Sequence, residues 1–285
     1  MNVGILHPGE MGISIAASAK NSGHAVYWAS EGRGEKTRSR AEKHALIDAG
    51  TVKELCRVCQ FVLCICPPDA AEAVAHQVID AGYKGIYLDA NAISPDRSRS
   101  INKRMQVSGI QYVDGGIIGG PALEPKNTWL YLSGEKACGI AACFSQGPLE
   151  VKVIGDEIGK ASALKMCYAA YTKGTIALLC AVLATASALH VDEELFHQWE
   201  LDEAGSAEQA ARRARYVTAK AWRFAGEMEE IAATFASAGL PSGFHESAAE
   251  IYRRMQGFKD STSLPELPKL NEVLASLQRK KHPAN

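Results

Sequence analysis

The segment GILHPGEMG, residues 4–12, joins a strand-like apolar run to a helix-like stretch through a turn with two glycines. In the dinucleotide-binding pattern G-x-G-x-x-G, the second glycine lets the backbone approach a pyrophosphate, and the third lets the helix pack against the strand. Gly9 and Gly12 occupy these two positions, whereas His7 occupies the first. Because glycines also occur in ordinary turns, the segment predicts a dinucleotide-binding turn only in the right context.

The size and charge of the chain limit its function. Its 285 residues exceed the usual length of one domain, so we expect two domains with separate cores. A formal net charge of -1 gives no basis for binding nucleic acid through bulk electrostatics. The beginning lacks the basic and apolar regions of a signal peptide, and the longest uncharged run, 174–189, is shorter than the ~20 residues of a membrane span. We expect a cytoplasmic protein with no nucleic-acid or membrane partner.

Short apolar runs alternate with helix-length segments over the first 155 residues. Parallel strands need long crossover connections, so this alternation predicts repeated βαβ units and a parallel sheet. The runs are continuously apolar, which is typical of strands that are covered on both faces. The predicted strands are 2–6, 25–29, 61–66, 85–89, 110–113, 128–132 and 151–154, and the helices between them include 11–21, 69–81 and 95–107.

Strand signals almost vanish after Gly155. Residues 160–190 and 207–238 are rich in helix-forming residues, and an apolar stripe with helical spacing runs from Phe224 through Met228 and Ile231 to Phe235. The chain is therefore predicted to contain an α/β domain of the Rossmann type, 1–155, and an all-α domain, 156–285.

The end of the second predicted strand indicates which dinucleotide would bind. An NAD-specific domain places an acidic residue there, against the ribose 2′-hydroxyl, and this chain has Ser30 near that position. A hydroxyl and a basic cluster suit a 2′-phosphate, to which a guanidinium bonds bidentately. Glu31 could instead serve as the acid against the ribose, which would favour NAD. A second alternative is that the charged segment is only the solvated start of a helix and contacts neither cofactor. We predict NADP (NADPH) rather than NAD, with a basic cluster of Arg33, Lys36, Arg38 and Arg40.

Two further loops follow strands at the edge where open α/β sheets bind ligands. CPPD, 66–69, contains paired prolines that stiffen a candidate nicotinamide pocket, and DANAISP, 89–95, offers the amide of Asn91 to a ribose or carboxamide. Helix capping and turn formation are the alternative explanation of both loops. The predicted cofactor-binding residues are His7, Gly9, Glu10, Met11, Gly12, Ser30, Arg33, Cys66, Pro67, Pro68 and Asn91.

The chain has eight cysteines, four of them in CRVCQFVLCIC. Cys64 and Cys66 lie in an apolar run, and no second C-x-x-C or spaced histidine pair accompanies them. We therefore favour small buried thiols over a zinc or redox site, and we predict no metal.

Three more motifs accompany the GxMG of Gly9 to Gly12. They are DGGIIGG at 114–120, GKASALKMCYA at 159–169 and RFAGEMEEIA at 223–232. Together the motifs resemble the β-hydroxyacid dehydrogenase superfamily, the relatives of 6-phosphogluconate and 3-hydroxyisobutyrate dehydrogenase. The chain is most similar to an uncharacterised branch with a distinctive helical C-terminal domain, and the resemblance covers nearly all of it.

The resemblance implies roles for particular residues. Lys165 matches the general acid/base lysine of the superfamily, and desolvation on an apolar helix lowers the pKa of an amine, which suits proton transfer. Tyr168, three residues later, replaces an asparagine as a possible hydroxyl donor on the same helix face. The alternative for Lys165 is a lysine at the helix surface that extends its amine to solvent and has no catalytic role. The implied substrate-binding residues are Ile118, which replaces a serine of the family, Gly119, Gly120 and Glu227.

These features predict an NADP(H)-dependent oxidoreductase that transfers a hydride to or from a hydroxyl or carbonyl substrate. One alternative is an imine (C=N) reductase. Imine reductases of the superfamily commonly have another residue in place of the lysine, so Lys165 argues against this function, whereas Tyr168 keeps it open. The other is a non-catalytic NADP-binding sensor, which the departures from the family pattern permit. Relatives pair through their helical domains, so we expect a homodimer.

Overall fold

The short apolar runs form strands, and Phe61–Cys64 is buried along its whole length. In the computed structural model, which describes residues 1–259 and 267–278, the chain divides into two units, Met1–Tyr168 and Ala169–Asn285. The strands of the first unit are β1 (Asn2–Leu6), β2 (Ala25–Trp28), β3 (Ile47–Asp48), β4 (Phe61–Cys64), β5 (Ile86–Asp89), β6 (Gln111–Gly119), β7 (Thr128–Ser133) and β8 (Leu149–Val153).

All eight strands belong to one sheet with the order β3-β2-β1-β4-β5-β6-β7-β8. Neighbouring strands run parallel except for β6 and β7, which are antiparallel. The direction of strand addition reverses between β1 and β4, and open α/β sheets bind their ligands in the crevice at such a point. The predicted Rossmann-type sheet is confirmed, and the GILHPGEMG turn lies at its reversal point.

Helices cover both faces of the sheet. Successive residues of β4 point to opposite sides, so that Phe61 and Leu63 belong to one buried cluster and Val62 and Cys64 to the other. The helices of this unit are α1 (Glu10–Asn21), α2 (Glu35–Lys43), α3 (Val52–Val58), α4 (Ala71–Asp80), α5 (Pro95–Val107) and α6 (Ala137–Ala141), and the long α7 (Lys160–Ala188) begins in it.

The DGGIIGG segment extends the strand that was predicted to end at residue 113. It forms most of β6, which extends to Gly119 and pairs with β7. The glycines hide the strand signal, yet close packing requires them: a Cβ on Gly115 would lie 2.9 Å from Cδ1 of Leu88, and a Cβ on Gly116 would lie 2.6 Å from the carbonyl oxygen of Ala161. Ile118 lies within β6 and is 8% exposed.

The second unit is helical, as predicted. After the rest of α7 it contains α8 (Asp192–Asp202), α9 (Ser206–Tyr216), α10 (Ala221–Ser237), α11 (Gly243–Arg254) and α12 (Leu270–Gln278). Met228 and Ile231 of the predicted stripe are fully buried on α10. The chain divides into the two units after Tyr168, within α7, and the sequence predicted a boundary near residue 155. By length and composition α7 passes the test for a membrane-crossing helix, a test that core helices of soluble proteins also pass.

Candidate functional site

The turn after β1 is tight and is centred on Pro8. His7 adopts a left-handed conformation with φ of 66°, and the N–H of Gly9 donates a hydrogen bond of 2.7 Å to the carbonyl oxygen of His7. Histidine adopts such a conformation more readily than most residues, which explains how it replaces the first glycine. Helix α1 then begins at Glu10, which is exposed, and Met11 follows half-buried.

The two glycines of this turn have different surroundings. A Cβ on Gly12 would lie 2.8 Å from the carbonyl oxygen of His7 and 3.3 Å from Cδ1 of Ile5. A Cβ on Gly9 would approach nothing closer than 4.0 Å. Gly12 is therefore needed for packing between the helix and the strand, whereas the space beside Gly9 is open.

Replacing Gly12 with Ala is expected to lower the free energy of unfolding by about 1–3 kcal/mol, because the new methyl group meets rigid backbone. Gly9→Ala is the matched control: it should unfold at the same urea concentration as the unsubstituted protein. Urea unfolding followed by circular dichroism measures both. Equal stability of the two variants would contradict the packing role of Gly12.

The basic segment after β2 folds back on its own loop. Ser30 is buried, and its carbonyl oxygen accepts hydrogen bonds from the N–H of Arg33 and from the guanidinium of Arg38. Arg40 donates to the carbonyl oxygen of Pro8 at 3.4 Å. Burial lowers the pKa of Arg33, while its attraction to the sulfur atoms of Cys64 and Cys66 opposes that effect. Nε of Arg33 is buried and has no hydrogen-bond partner among the described residues.

The loop after β4 is fixed by Asn91, which follows β5. The N–H of Cys66 donates to Oδ1 of Asn91 at 2.6 Å, and Nδ2 of Asn91 donates to Sγ of Cys64 at 3.4 Å. Asn91 is 2% exposed, so its amide fixes the loop; its predicted contact with the cofactor stays a prediction. Pro67 is exposed, and Pro68 begins the short 3-10 turn Pro68–Ala70.

The surroundings of the two thiols in this loop shift their pKa values in opposite directions. Burial works against ionisation of Cys64, but the surrounding polar groups outweigh it and lower the pKa of that thiol well below its ordinary value; they belong to Cys66, His7, Tyr87 and Asn91. The hydrogen bond with Cys64, followed by burial, raises the pKa of Cys66. Cys56 and Cys59 differ, because burial raises the pKa of each to about 12 and leaves them as inert core thiols.

A second group of polar side chains surrounds Asp114 in β6. This carboxyl group is 1% exposed and accepts five hydrogen bonds. Three come from the hydroxyls of Ser98, Ser133 and Ser162, and two from the N–H groups of Gly159 and Ser162. Asp114 therefore ties the first turn of α7 to the sheet, a role that no motif in the sequence revealed.

Lys165 follows one turn further along α7. It is half-buried, and a Cβ on Gly116 would lie 3.1 Å from its Cβ, so Lys165 packs directly against the glycine segment of β6. Tyr168 is 47% exposed. At the end of β6, Gly119 has a φ of 115° and the carbonyl oxygen of Gly120 accepts a 2.6 Å hydrogen bond from the hydroxyl of Thr128. The substrate contacts of Ile118, Gly119 and Gly120 stay predictions.

Glu227 lies in the helical unit and is paired there. Its carboxylate forms an ion pair with Lys173 of α7, and both side chains are nearly buried. Nζ of Lys173 also lies 4.4 Å from the ring centre of Phe224, and the hydroxyl of Tyr252 donates to the carbonyl oxygen of Lys173 at 2.7 Å. A substrate contact by Glu227 stays a prediction.

The fold and the turn define a dinucleotide-binding domain of the dehydrogenase class. Residues 2–138 match the model of the NAD binding domain of 6-phosphogluconate dehydrogenase, and residues 186–255 match a domain of unknown function, DUF1932. A relative in Methanothermus fervidus, an uncharacterized 28.5 kDa protein in the 7S RNA 5′ region, is 30% identical over 195 residues, which are 68% of this chain and 74% of that protein. The chain belongs to the β-hydroxyacid dehydrogenase family and carries its helical domain at the C-terminus.

Solved structures share the whole fold. The conserved protein MTH1747, of unknown function and described as structurally similar to 3-hydroxyacid dehydrogenases, is 27% identical with a TM-score of 0.65, covering 90% of this chain and 97% of its own. The 3-hydroxyisobutyrate dehydrogenase of Mycobacterium tuberculosis, solved with L-serine, is 16% identical with a TM-score of 0.68, covering 98% and 99%. Imine reductases also share the fold.

Proposed function

We propose that the protein is an NADP(H)-dependent oxidoreductase that acts on a hydroxyl or carbonyl substrate. The observation that carries the proposal is the position of Lys165, which packs against Gly116 on a helix end that Asp114 ties to the sheet. An amine held in this way can give a proton to, or take one from, the oxygen of a substrate.

The residues at the sheet edge fit a dinucleotide. The open space beside Gly9 allows a pyrophosphate to approach the backbone, and the buried, unpartnered Nε of Arg33 suits a phosphate oxygen. Ser30 and Arg33 support NADP in preference to NAD. When bound, the nicotinamide supplies or accepts the hydride, and Lys165 moves the proton.

The substrate differs from the small 3-hydroxyacids of related enzymes in how it is anchored. Ile118 stands where relatives have a serine, and it is buried within β6. An isoleucine side chain has no hydroxyl for a substrate carboxylate. We infer a less polar substrate on the β6 side, bound near Gly119 and Gly120.

A substrate panel tests the proposal. Hydroxyacids, aldehydes, ketones and imines are offered with NADPH or NADP, and the absorbance of NADPH is followed. Turnover of a hydroxyl or carbonyl compound is expected. Turnover of imines alone would favour the C=N reductase, for which the exposed hydroxyl of Tyr168, three residues after Lys165, is a candidate proton donor. Tight NADPH binding without any turnover would favour a sensor.

Replacing Arg33 with Ala is expected to weaken NADPH binding by about 10- to 100-fold and NADH binding much less, since a hydrogen bond to a charged group contributes about 1.5–3 kcal/mol. Fluorescence titration of the reduced dinucleotides measures both affinities. Lys36→Ala, an exposed change in the same basic segment, is the control and should alter neither affinity greatly. Equal losses of NADPH and NADH affinity in Arg33→Ala would overturn the assignment to the 2′-phosphate.

We also propose a homodimer that acts in the cytoplasm and pairs through the helical unit. Tyr171, Leu178 and Val182 lie along one face of α7 and are 76%, 50% and 37% exposed. Light scattering should give twice the chain mass of 30.6 kDa. Leu178→Glu places a charge on that face and should shift the mass toward one chain, whereas Glu193→Lys on α8 should not. A monomeric unsubstituted protein would refute the dimer.

A further inference from the structure

Three metal-ligating side chains meet at the ends of β1 and β4. The possible ligand atoms of His7, Cys64 and Cys66 all lie within 4.8 Å of one another. Cys64 ends β4 and Cys66 follows two residues later, a spacing that places both side chains on one side of an extended chain. Leu6 of β1 pairs with Cys64 of β4, and the left-handed turn of His7 comes directly after it. The sheet topology therefore brings these side chains together.

The distances fit a tetrahedral zinc ion. Two Zn–S bonds of about 2.3 Å at the tetrahedral angle separate the sulfur atoms by about 3.8 Å. The Sγ atoms of Cys64 and Cys66 are 3.7 Å apart. The pair thus already has the separation that a common metal ion imposes.

The surroundings also suit a metal. Nδ1 of His7 is buried and without a hydrogen-bond partner in the part of the chain that the structure describes. Nδ2 of Asn91 donates to Sγ of Cys64, which is the kind of outer contact that orients a thiolate ligand. Two thiolates and a neutral imidazole would cancel the charge of a divalent cation.

We propose that His7, Cys64 and Cys66 bind one divalent cation of the zinc class and leave a fourth coordination position open. Thiolate and imidazole ligands select zinc over magnesium or calcium. Three protein ligands with an open position are typical of catalytic zinc, whereas structural zinc has four protein ligands. His7 and Cys66 are also among the residues predicted to bind the cofactor, so metal binding is measured with neither cofactor nor substrate present.

Zinc and cobalt binding to the full chain test the proposal without cofactor or substrate. The protein is stripped with a chelator under a thiol-free reductant and titrated with Zn²⁺ against a chromogenic competitor. Co²⁺ is added in parallel, because thiolate ligation gives a charge-transfer absorption band. One tightly bound Zn²⁺ per chain and a thiolate-to-cobalt band are expected.

Substitutions identify the ligands. His7→Gly keeps a residue that accepts a φ of 66°, so the turn should fold, and Cys64→Ser and Cys66→Ser remove one sulfur each. Each should weaken Zn²⁺ binding by more than the about 10- to 100-fold that loss of an outer partner causes. Cys138→Ser and Cys167→Ser remove exposed thiols and should leave binding unchanged. Circular dichroism confirms that each variant is folded.

Two results would overturn the site. One is an unsubstituted protein that binds Zn²⁺ no better than folded His7→Gly, Cys64→Ser or Cys66→Ser. The other is loss of binding in Cys138→Ser or Cys167→Ser, which would assign the metal to exposed thiols. Both results are read from Zn²⁺ binding without cofactor, whereas the oxidoreductase proposal is read from NADPH absorbance on the unsubstituted protein, so the two failures remain distinguishable.

Discussion

Replacing Lys165 with Met is expected to lower kcat/KM by about 10²- to 10⁴-fold, the range that a positioned acid/base group contributes. Methionine has a similar length and packs well beside an apolar helix surface, so contact with Gly116 should be kept while the amine is lost. Affinity for NADPH should stay within a few-fold, because the dinucleotide turn after β1 is made by other residues. Steady-state kinetics on the best substrate of the panel and fluorescence titration of NADPH measure the two quantities.

Lys160 provides the matched control for this experiment. It lies in the first turn of the same helix and is exposed. Lys160→Met changes the same chemical group on α7 and should leave kcat/KM near that of the unsubstituted protein. Comparable turnover by Lys165→Met would show that another group transfers the proton, and Tyr168→Phe would then be the next variant to examine.

Most of the sheet could be predicted because its strands are continuously apolar. Segment 61–66 is an unbroken run of Phe, Val, Leu, Cys and Ile, and segment 128–132 contains two Leu residues with Trp and Tyr; the structure forms β4 and β7 there. β6 was predicted too short because four glycines in DGGIIGG resemble a loop. Three of these glycines, Gly115, Gly116 and Gly119, have tight contacts with Leu88, Ala161 and Asn127 respectively. Local propensity carries no information about such contacts.

The candidate site shows the same limit. The spacing of Gly9 and Gly12 predicted the turn, and the family motif singled out Lys165. The cluster of His7 with Cys64 and Cys66 was missed, because no metal motif joins residues that are so far apart in the chain. Only the pairing of β1 with β4 brings them together. The hydrogen bonds of Asp114 were missed for the same reason, since their donors come from α5, β7, α7 and the turn before it.

Replacing Asp114 with Ala is expected to lower the free energy of unfolding by about 2–5 kcal/mol, because each buried donor left without an acceptor costs about 1–3 kcal/mol. The change leaves the N–H groups of Gly159 and Ser162 buried without their acceptor. The hydroxyls of Ser98, Ser133 and Ser162 lose the same carboxyl group, although a hydroxyl can rotate to another partner. Asp114→Asn keeps one acceptor oxygen, so its free energy of unfolding should lie between those of the unsubstituted protein and Asp114→Ala. Urea unfolding followed by circular dichroism measures the series.

The control is Asp96→Ala on α5, where the carboxylate pairs with Arg99 and is 61% exposed. An exposed ion pair contributes less than about 1 kcal/mol, so this variant should unfold close to the unsubstituted protein. A loss of stability in Asp114→Ala no larger than that in Asp96→Ala would mean that the start of α7 holds its place without the carboxylate. Lys165 would then owe its position to packing against Gly116 alone.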